Sequence, residues 1–514
     1  MTHKNYRPWT PDQDYLLPPR PREWLPEGHL AYFILDVVAQ LDLGSIESVI
    51  QARDPRGVVP YHPRMMVALL LYAYATGTYS SRRIAGATYD DVAMRFLAGD
   101  AHPHFDTVAA FRQAHLDALG ALFVQAVQMC QAAGLVKLGH LSLDGTKILA
   151  NASKHAAMSY DRMQADEARI KGEIASLLER AATVDATEDA EIGAGQDRVD
   201  VPHELHRREA RLKKIQDAKR ALEAEARQRR ASELRTSAEG HDRTAADESL
   251  AQKQRKAACT IAEKKRDKAD ELDPPEDPPA PARPPAEDEL PKNMTPPRDD
   301  ATPGPKAQRN FTDPESRMMH SHGEFVQAYN AQALVDGDSQ VIVEIALSNQ
   351  GPDAEYLVPV LHRALARGLK PTQFTADAGY FSRANVEWCE KGGIDAYISM
   401  ARERHTEVGA ALTKASVQPP STPGVWVDSD PPPPTSRDRM VAKLATPEGR
   451  KIYARRKTIP EPVFGQIKEA RRFRRFSLRG MAKVASEWSL VCAVHNLLKL
   501  FSAKSKIIAL SATG

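Results

Sequence analysis

The chain has 514 residues, 70 basic against 68 acidic, a formal net charge of +2, 37 prolines and only four cysteines. That length predicts about two to four domains. No uncharged apolar run reaches the roughly 18 residues that a membrane span needs. The opening MTHKNYRPWTPDQDY lacks the apolar core of a secretory signal, and Cys130, Cys259, Cys389 and Cys492 fall in no zinc-binding spacing. A cytosolic protein with reduced thiols and no membrane partner is expected.

Residues 1–30 are punctuated by proline and read as extended. From 30 to 136 the periodicity is helical, with Tyr32, Ile34, Leu35, Val38 and Leu41 on one face and Met66, Ala68, Leu69, Leu71 and Tyr72 on another. Short helices are expected to start at Ser80-Ser81, Asp90 and Asp106-Thr107, each with a capping residue, and to expose Arg82, Arg83, Arg95 and Arg112. Residues 1–135 are therefore read as an all-helical domain and assigned to DNA binding. A helix-turn-helix reader and a helical dimerisation or packing domain fit this pattern equally well.

Residues 136–157 open a second region. Leu141-Ser142-Leu143-Asp144-Gly145 alternates as a half-buried strand that ends in a carboxylate. Gly145 allows the chain to leave the sheet there. Residues 147–152 then read as a second strand or hairpin arm. An Asp on a rigid strand rim suits a metal ligand, although Asp-Gly by itself is also an ordinary turn.

Residues 158–270 are dense in Ala, Glu, Lys and Arg, with Ile170, Ile174, Leu177 and later Leu212, Ile215 and Leu222 at helical spacing. Gly193-Ala194-Gly195-Gln196 and Pro202 interrupt them, which predicts an antiparallel hairpin of two long helices. Proline and acidic residues dominate 271–308, a disordered linker. Strands and helices alternate through 309–399: a hairpin turning at Asp336-Gly337-Asp338-Ser339, a helix from Pro352, a strand ending Ala376-Asp377-Ala378-Gly379, a helix from Ser382 and a strand through Ile398. Residues 400–449 read as an irregular insertion. Residues 450–514 read as a basic helix carrying Glu461 after Pro460, then an apolar closing helix containing Trp488. The predicted class is α/β, with the hairpin adding an antiparallel edge to a parallel core.

Between residues 450 and 483, Arg450, Lys451, Arg455, Arg456, Lys457, Lys468, Arg471, Arg472, Arg474, Arg475, Arg479 and Lys483 stand against only Glu461 and Glu469. So local an excess marks a surface for a polyanion. Asp144 and Asp377, each ending an apolar strand, together with Glu461 in that basic setting, supply the oxygen ligands that Mg²⁺ prefers. Two such ions about 4 Å apart activate the attacking oxygen and stabilise the leaving oxygen of a phosphoryl displacement. The plain alternative for Glu461 is a surface ion pair with Arg456 or Lys457.

These motifs resemble the bacterial insertion-sequence transposases of the DDE class, in the branch with an N-terminal helical domain and a charged helical insertion. Leu143-Asp144-Gly145-Thr146-Lys147 with Ala150-Asn151-Ala152-Ser153 is similar to the first-Asp motif, and Ala376-Asp377-Ala378-Gly379-Tyr380 to the second. Tyr453, Arg456, Glu461 and Lys468 resemble the Glu motif, with four residues instead of three between Arg456 and Glu461. Asp313-Pro314-Glu315-Ser316, Tyr329-Asn330-Ala331-Gln332, Tyr61-His62-Pro63-Arg64 and Ser80-Ser81-Arg82-Arg83 extend the likeness over nearly the whole chain.

The resemblance implies a ribonuclease-H-like mixed sheet with helices on both faces, and two Mg²⁺ ions (or Mn²⁺) held by Asp144, Asp377 and Glu461. It implies cleavage at element ends and strand transfer into target DNA. Tyr453, Arg456 and Lys468 would steer phosphates, and Arg471, Arg472, Arg474 and Arg475 would follow the backbone. It also implies terminal inverted repeats and target DNA as partners, a synaptic homodimer and a nucleoid-associated location. A catalytically silent DNA-binding regulator and a stand-alone metal-dependent nuclease are the competing readings.

Overall fold

The computed structural model describes residues 20–52, 59–188, 201–247, 250–274, 299–321, 323–400 and 435–512. Seven helices come first: α1 (Leu30–Gln40), α2 (Gly44–Gln51), α3 (Pro63–Ala75), α4 (Ser81–Asp90), α5 (Val92–Leu97), α6 (Phe105–Ala114) and α7 (Leu116–Ala132). Two of their starts shift from expectation. Asp91, not Asp90, caps α5 by accepting from the Met94 amide, and the His104 ring caps α6.

The next element corrects the sequence reading. A break at Gly145 into two strands is expected over residues 139–152, yet β1 (His140–Leu149) runs on unbroken. It does so because β5 (Glu324–Asp336) pairs with it antiparallel along its whole length, from Leu141 opposite Asp336 to Leu149 opposite Ala328. On its other side β7 (Gln373–Ala376) pairs parallel and stops at Ala376 opposite Leu143. Asp144 therefore lies in mid-strand, at the first position where one flank of β1 is unpaired.

Short β2 (Ala157–Ser159) and β3 (Gln308–Asn310) pair with each other, and β4 (Arg317–Ser321), β6 (Ile342–Ser348) and β8 (Asp395–Ile398) complete the main sheet. Both β4 and β6 pair with β5, and the path continues β5-β1-β7-β8, with β7 and β8 parallel to β1 and β5 antiparallel to it. This is the mixed ribonuclease-H-like sheet.

Alternation along β1 and β5 divides the core. Leu141, Leu143 and Leu334 face α11 (Leu357–Ala366) and α12 (Arg383–Lys391), against Leu357, Val360, Leu361 and Val386. Ile148, Tyr329, Ala331 and Ala333 face the closing helix, against Val484, Trp488 and Val491. The Trp488 indole N–H also donates to the Gln332 carbonyl at 3.2 Å.

Between β2 and β3 stand three helices, α8 (Tyr160–Glu188), α9 (Val201–Ala246) and α10 (Gln252–Leu272). The expected two-helix hairpin is thus corrected to three. Pro202 lies in the first turn of α9, where its missing N–H costs nothing, and α10 occupies sequence whose charge density concealed a third amphipathic repeat. The Gly193-Ala194-Gly195-Gln196 break and most of the 271–308 linker, from 275 to 298, lie outside the described residues. So do residues 401–434 of the expected irregular insertion. The chain beyond residue 434 is regular: α13 (Ser436–Ala445) and α14 (Pro447–Ala454) are each started by a threonine whose hydroxyl accepts an N3 amide.

The basic segment is broken up instead of forming one helix. A 3₁₀ turn (Arg455–Thr458), α15 (Pro460–Gly465), a five-residue π turn (Gln466–Ala470) and an extended stretch precede α16 (Met481–Ala512).

The N-terminal helices are fused to this core through a buried polar cluster. Arg112, expected to be exposed, is only 5 % accessible, donating to the Tyr74 hydroxyl at 3.1 Å and the Tyr79 carbonyl at 3.0 Å. Tyr74 in turn donates to Glu487 of α16 at 3.1 Å, and Tyr79 to the Arg471 carbonyl at 2.7 Å. A guanidinium buried beside a carboxylate and two phenols costs less than one buried alone, so charge complementarity with α16 draws Arg112 inward. No helix among the described residues is long and apolar enough to cross a membrane.

Candidate active site

Asp144 and Asp377 are brought together by sheet topology. Parallel pairing sets Ala376 beside Leu143, so the next residue of each chain segment, Asp377 and Asp144, falls side by side where β7 ends. Each carboxylate has one oxygen held by a nearby backbone amide. Gly145 N–H donates to Asp144 at 2.8 Å, and Gly379 N–H donates to Asp377 at 2.9 Å. Burial and then the charge of Asp377 push the Asp144 carboxyl up to about 7. Burial and then Asp353 push Asp377 up as well. Acids raised by burial and by a neighbouring carboxylate in a low-dielectric rim are a form of stored repulsion that a cation would relieve.

Glu461 reaches the same rim through an intermediary. The Arg456 guanidinium lies 3.6 Å from Asp144 and 3.9 Å from Glu461. Arg456 is only 12 % accessible, whereas Glu461 is 55 %. The extra residue in the Arg456–Glu461 spacing is absorbed by the tight 3₁₀ turn and Ile459 before Pro460, so Arg456 still faces both acids. Its guanidinium carbon is 5.9 Å from the Tyr453 ring, near enough for a cation–π contact. Lys468 arrives from the π turn and donates to the Lys147 carbonyl on β1 at 3.0 Å.

The arginines after Lys468 divide in two. Arg472, Arg474 and Arg475 are exposed, with Arg474 paired to Glu469. Arg471 is not on the surface, which corrects its assignment to the DNA backbone. It is 7 % accessible and donates to the Val491 carbonyl and the His495 ring, both at 3.3 Å. Phe473 and Phe476 are each 1 % accessible, so in this extended stretch buried and exposed side chains interleave and Arg471 falls on the buried side.

Asp353, which sequence reasoning missed, sits in the loop after β6. One of its oxygens accepts from Asn330 at 2.6 Å, from Gln332 at 2.8 Å and from Lys147 at 3.4 Å. The glycines of both Asp motifs make room for it. A Cβ on Gly145 would lie 3.0 Å from an Asp353 oxygen and collide with the Gln332 amide, and one on Gly379 would lie 3.3 Å from the other Asp353 oxygen. A signal existed in the sequence: Asn330 and Gln332 are amides on a strand buried on both sides, and such groups require a polar partner.

Hard carboxylate oxygens suit Mg²⁺, and Asp144 with Asp377 would hold it. Among the described residues no three His, Cys, Asp or Glu side chains are close enough to share one ion. Glu461 would therefore join the other two only as Arg456 yields its place between them.

A ribonuclease-H-like sheet with acids on adjacent central strands, beside a basic segment, is the architecture of the DDE class. Residues 299–497 match the model of the transposase DDE domain, and residues 19–114 match that of the transposase domain (DUF772). Both matches are to transposase domains, and together they support an insertion-sequence transposase of the DDE class. No curated protein and no solved structure matches it significantly.

Proposed function

We propose that this transposase cuts DNA at the ends of its element and joins the freed 3′ ends to target DNA, using Asp144, Asp377 and Glu461. The observation that carries the reading is the meeting of Asp144 and Asp377 at the open flank of β1, with Arg456 linking them to Glu461. Bound Mg²⁺ would supply an activated water or hydroxyl and stabilise the leaving oxygen.

The side chains supply the rest. Asp144, raised to about 7 by burial and the charge of Asp377, must be ionised before it can ligate. Arg456 and Lys468, freed toward an incoming phosphate, would align it for in-line attack, with Tyr453 backing the guanidinium. Exposed Arg472, Arg474 and Arg475 would follow the flanking backbone without reading sequence. The domain division set out from the sequence, with residues 1–135 assigned to DNA, remains part of this proposal, as do the synaptic homodimer and the nucleoid-associated location.

The test uses the full chain and the DNA that brackets its gene. Asp144→Asn, Asp377→Asn and Glu461→Gln should each retain DNA binding while Mg²⁺-dependent cleavage falls by at least about a thousandfold, the order expected when an essential electrostatic group is removed. Wild-type-like cleavage by any of the three would remove that residue from the site. Joining of pre-cleaved ends to a plasmid separates a transposase from a simple nuclease.

A further inference from the structure

Along the β4 edge of the sheet, the insertion helix α9 faces the strands across a groove of about 710 Å³. Its walls carry Arg229 from α9, Lys306 from the approach to β3, Arg317 from β4 and Phe325 from β5. The one acidic side chain among the described residues of its lining, Glu225, is already engaged, accepting from Arg317 at 3.1 Å and also from Arg309. That double pairing fastens α9 to β3 and β4 and leaves the groove with a net positive lining. Arg229 pairs with Glu233 at 3.4 Å, and its buried Nη1 finds no hydrogen-bond acceptor among the described residues.

Phe325 is 65 % exposed, its ring edge-on to His320 at 5.5 Å between centroids. An aromatic face left open beside a net positive lining is the pairing that single-stranded nucleic acids bind, because every base offers a face to stack and every linkage a negative charge.

Two features fix the occupant. The volume is that of a small-molecule pocket, enough for about one or two nucleotides and far too small for a duplex. One end of the groove lies near the carboxylates: its lining includes Gly351, whose carbonyl accepts from Lys147 at 2.9 Å, and Lys147 also meets Asp353 and lies three residues beyond Asp144 on β1.

We propose that this groove holds one or two unpaired nucleotides of the strand entering the carboxylate rim, with Phe325 stacking on a base and Arg229 and Lys306 taking its phosphates. The proposal rests on the transposase reading and adds to it a separate site for unpaired DNA, built partly from the insertion.

The experiment compares binding of the full chain to a blunt duplex and to the same duplex bearing a two-nucleotide 2-aminopurine overhang on either strand. Wild type should prefer one overhang duplex and quench its fluorescence by stacking. Phe325→Ala should lose at least about fivefold of that preference together with the quenching, and Phe325→Trp should keep both. Arg229→Gln with Lys306→Gln should lower the salt slope of overhang binding by about 1.4, near 0.7 for each single-strand phosphate no longer neutralised. Equal binding of overhang and blunt duplexes, or quenching that survives Phe325→Ala in a chain of unchanged melting temperature, would overturn the proposal. Cleavage of the gene's bracketing DNA by wild type, in the same preparations, separates the two failures. Cleavage without overhang preference sinks the groove alone, and absence of cleavage sinks the wider reading.

Discussion

Arg471 and its neighbours show how one side chain's surroundings override its type. Buried Arg471 stands against His495, whose Nε2 pairs with the Gln340 carbonyl at 2.9 Å. Burial, then the charge of Arg471, hold the His495 imidazole down to about 3. Because the folded value lies below the ordinary 6.5, the unfolded chain binds more protons between those limits. Stability contributed by neutral His495 is whole above pH 6.5 and is lost as pH falls toward 3. Asp144, raised to about 7, works in the opposite sense over part of that window. The difference between variants isolates the histidine: His495→Asn should flatten the fall in melting temperature between about pH 7 and pH 4 by a few degrees, as followed by differential scanning fluorimetry. An unchanged pH profile would place the titration elsewhere. The exposed arginines behave differently. Neutralising Arg472 and Arg475 together should reduce the salt slope of duplex binding by about 1.8, near 0.9 for each phosphate. Arg471→Gln should lower the melting temperature and leave that slope where it was, a contrast that equilibrium titrations at several salt concentrations would read directly.

Strand β1 explains what the sequence disclosed and what it hid. Apolar alternation around Asp144 and Asp377, the first followed directly by Gly145 and the second by Gly379 two residues on, was legible because period two and Asp-Gly chemistry are local. Parallel pairing of their strands then places the acids together. The extension of β1 past Gly145 was not legible, because its partner β5 lies far downstream and glycine in a strand ordinarily weakens it. Here the missing side chain serves Asp353 and Gln332 in place of a turn. Glu461 was legible only as a motif. Its element is a chain of short, differently wound turns, and periodicity from Tyr453 to Arg475 suggested one helix. The same limit applied to Arg112 and Arg471. Both looked like surface cations because burial of a guanidinium depends on carboxylates, rings and carbonyls supplied from distant sequence.

At the scale of the molecule, the central strand pair β1 and β5 is formed by segments separated by the three insertion helices. The matched DDE domain, residues 299–497, accordingly contains Asp377 and Glu461 but not Asp144. Long-range pairing of this kind is slow and leaves strands open while it waits. A chain stopped at residue 310 would lack the partners of β1 on both sides, and it should aggregate or be degraded where the full chain stays in solution. Sedimentation of the two products after parallel expression would show the difference, and a soluble, monomeric 1–310 fragment would contradict it. The buried cluster of Arg112, Tyr74 and Glu487 has its own consequence. It ties the seven leading helices to the core that carries the carboxylate rim, so on the proposed function any sequence those helices grip would be held at a set offset from the bond that breaks. The protein would then measure its cleavage point with a built-in ruler, and the element's ends would have to keep that spacing to remain movable.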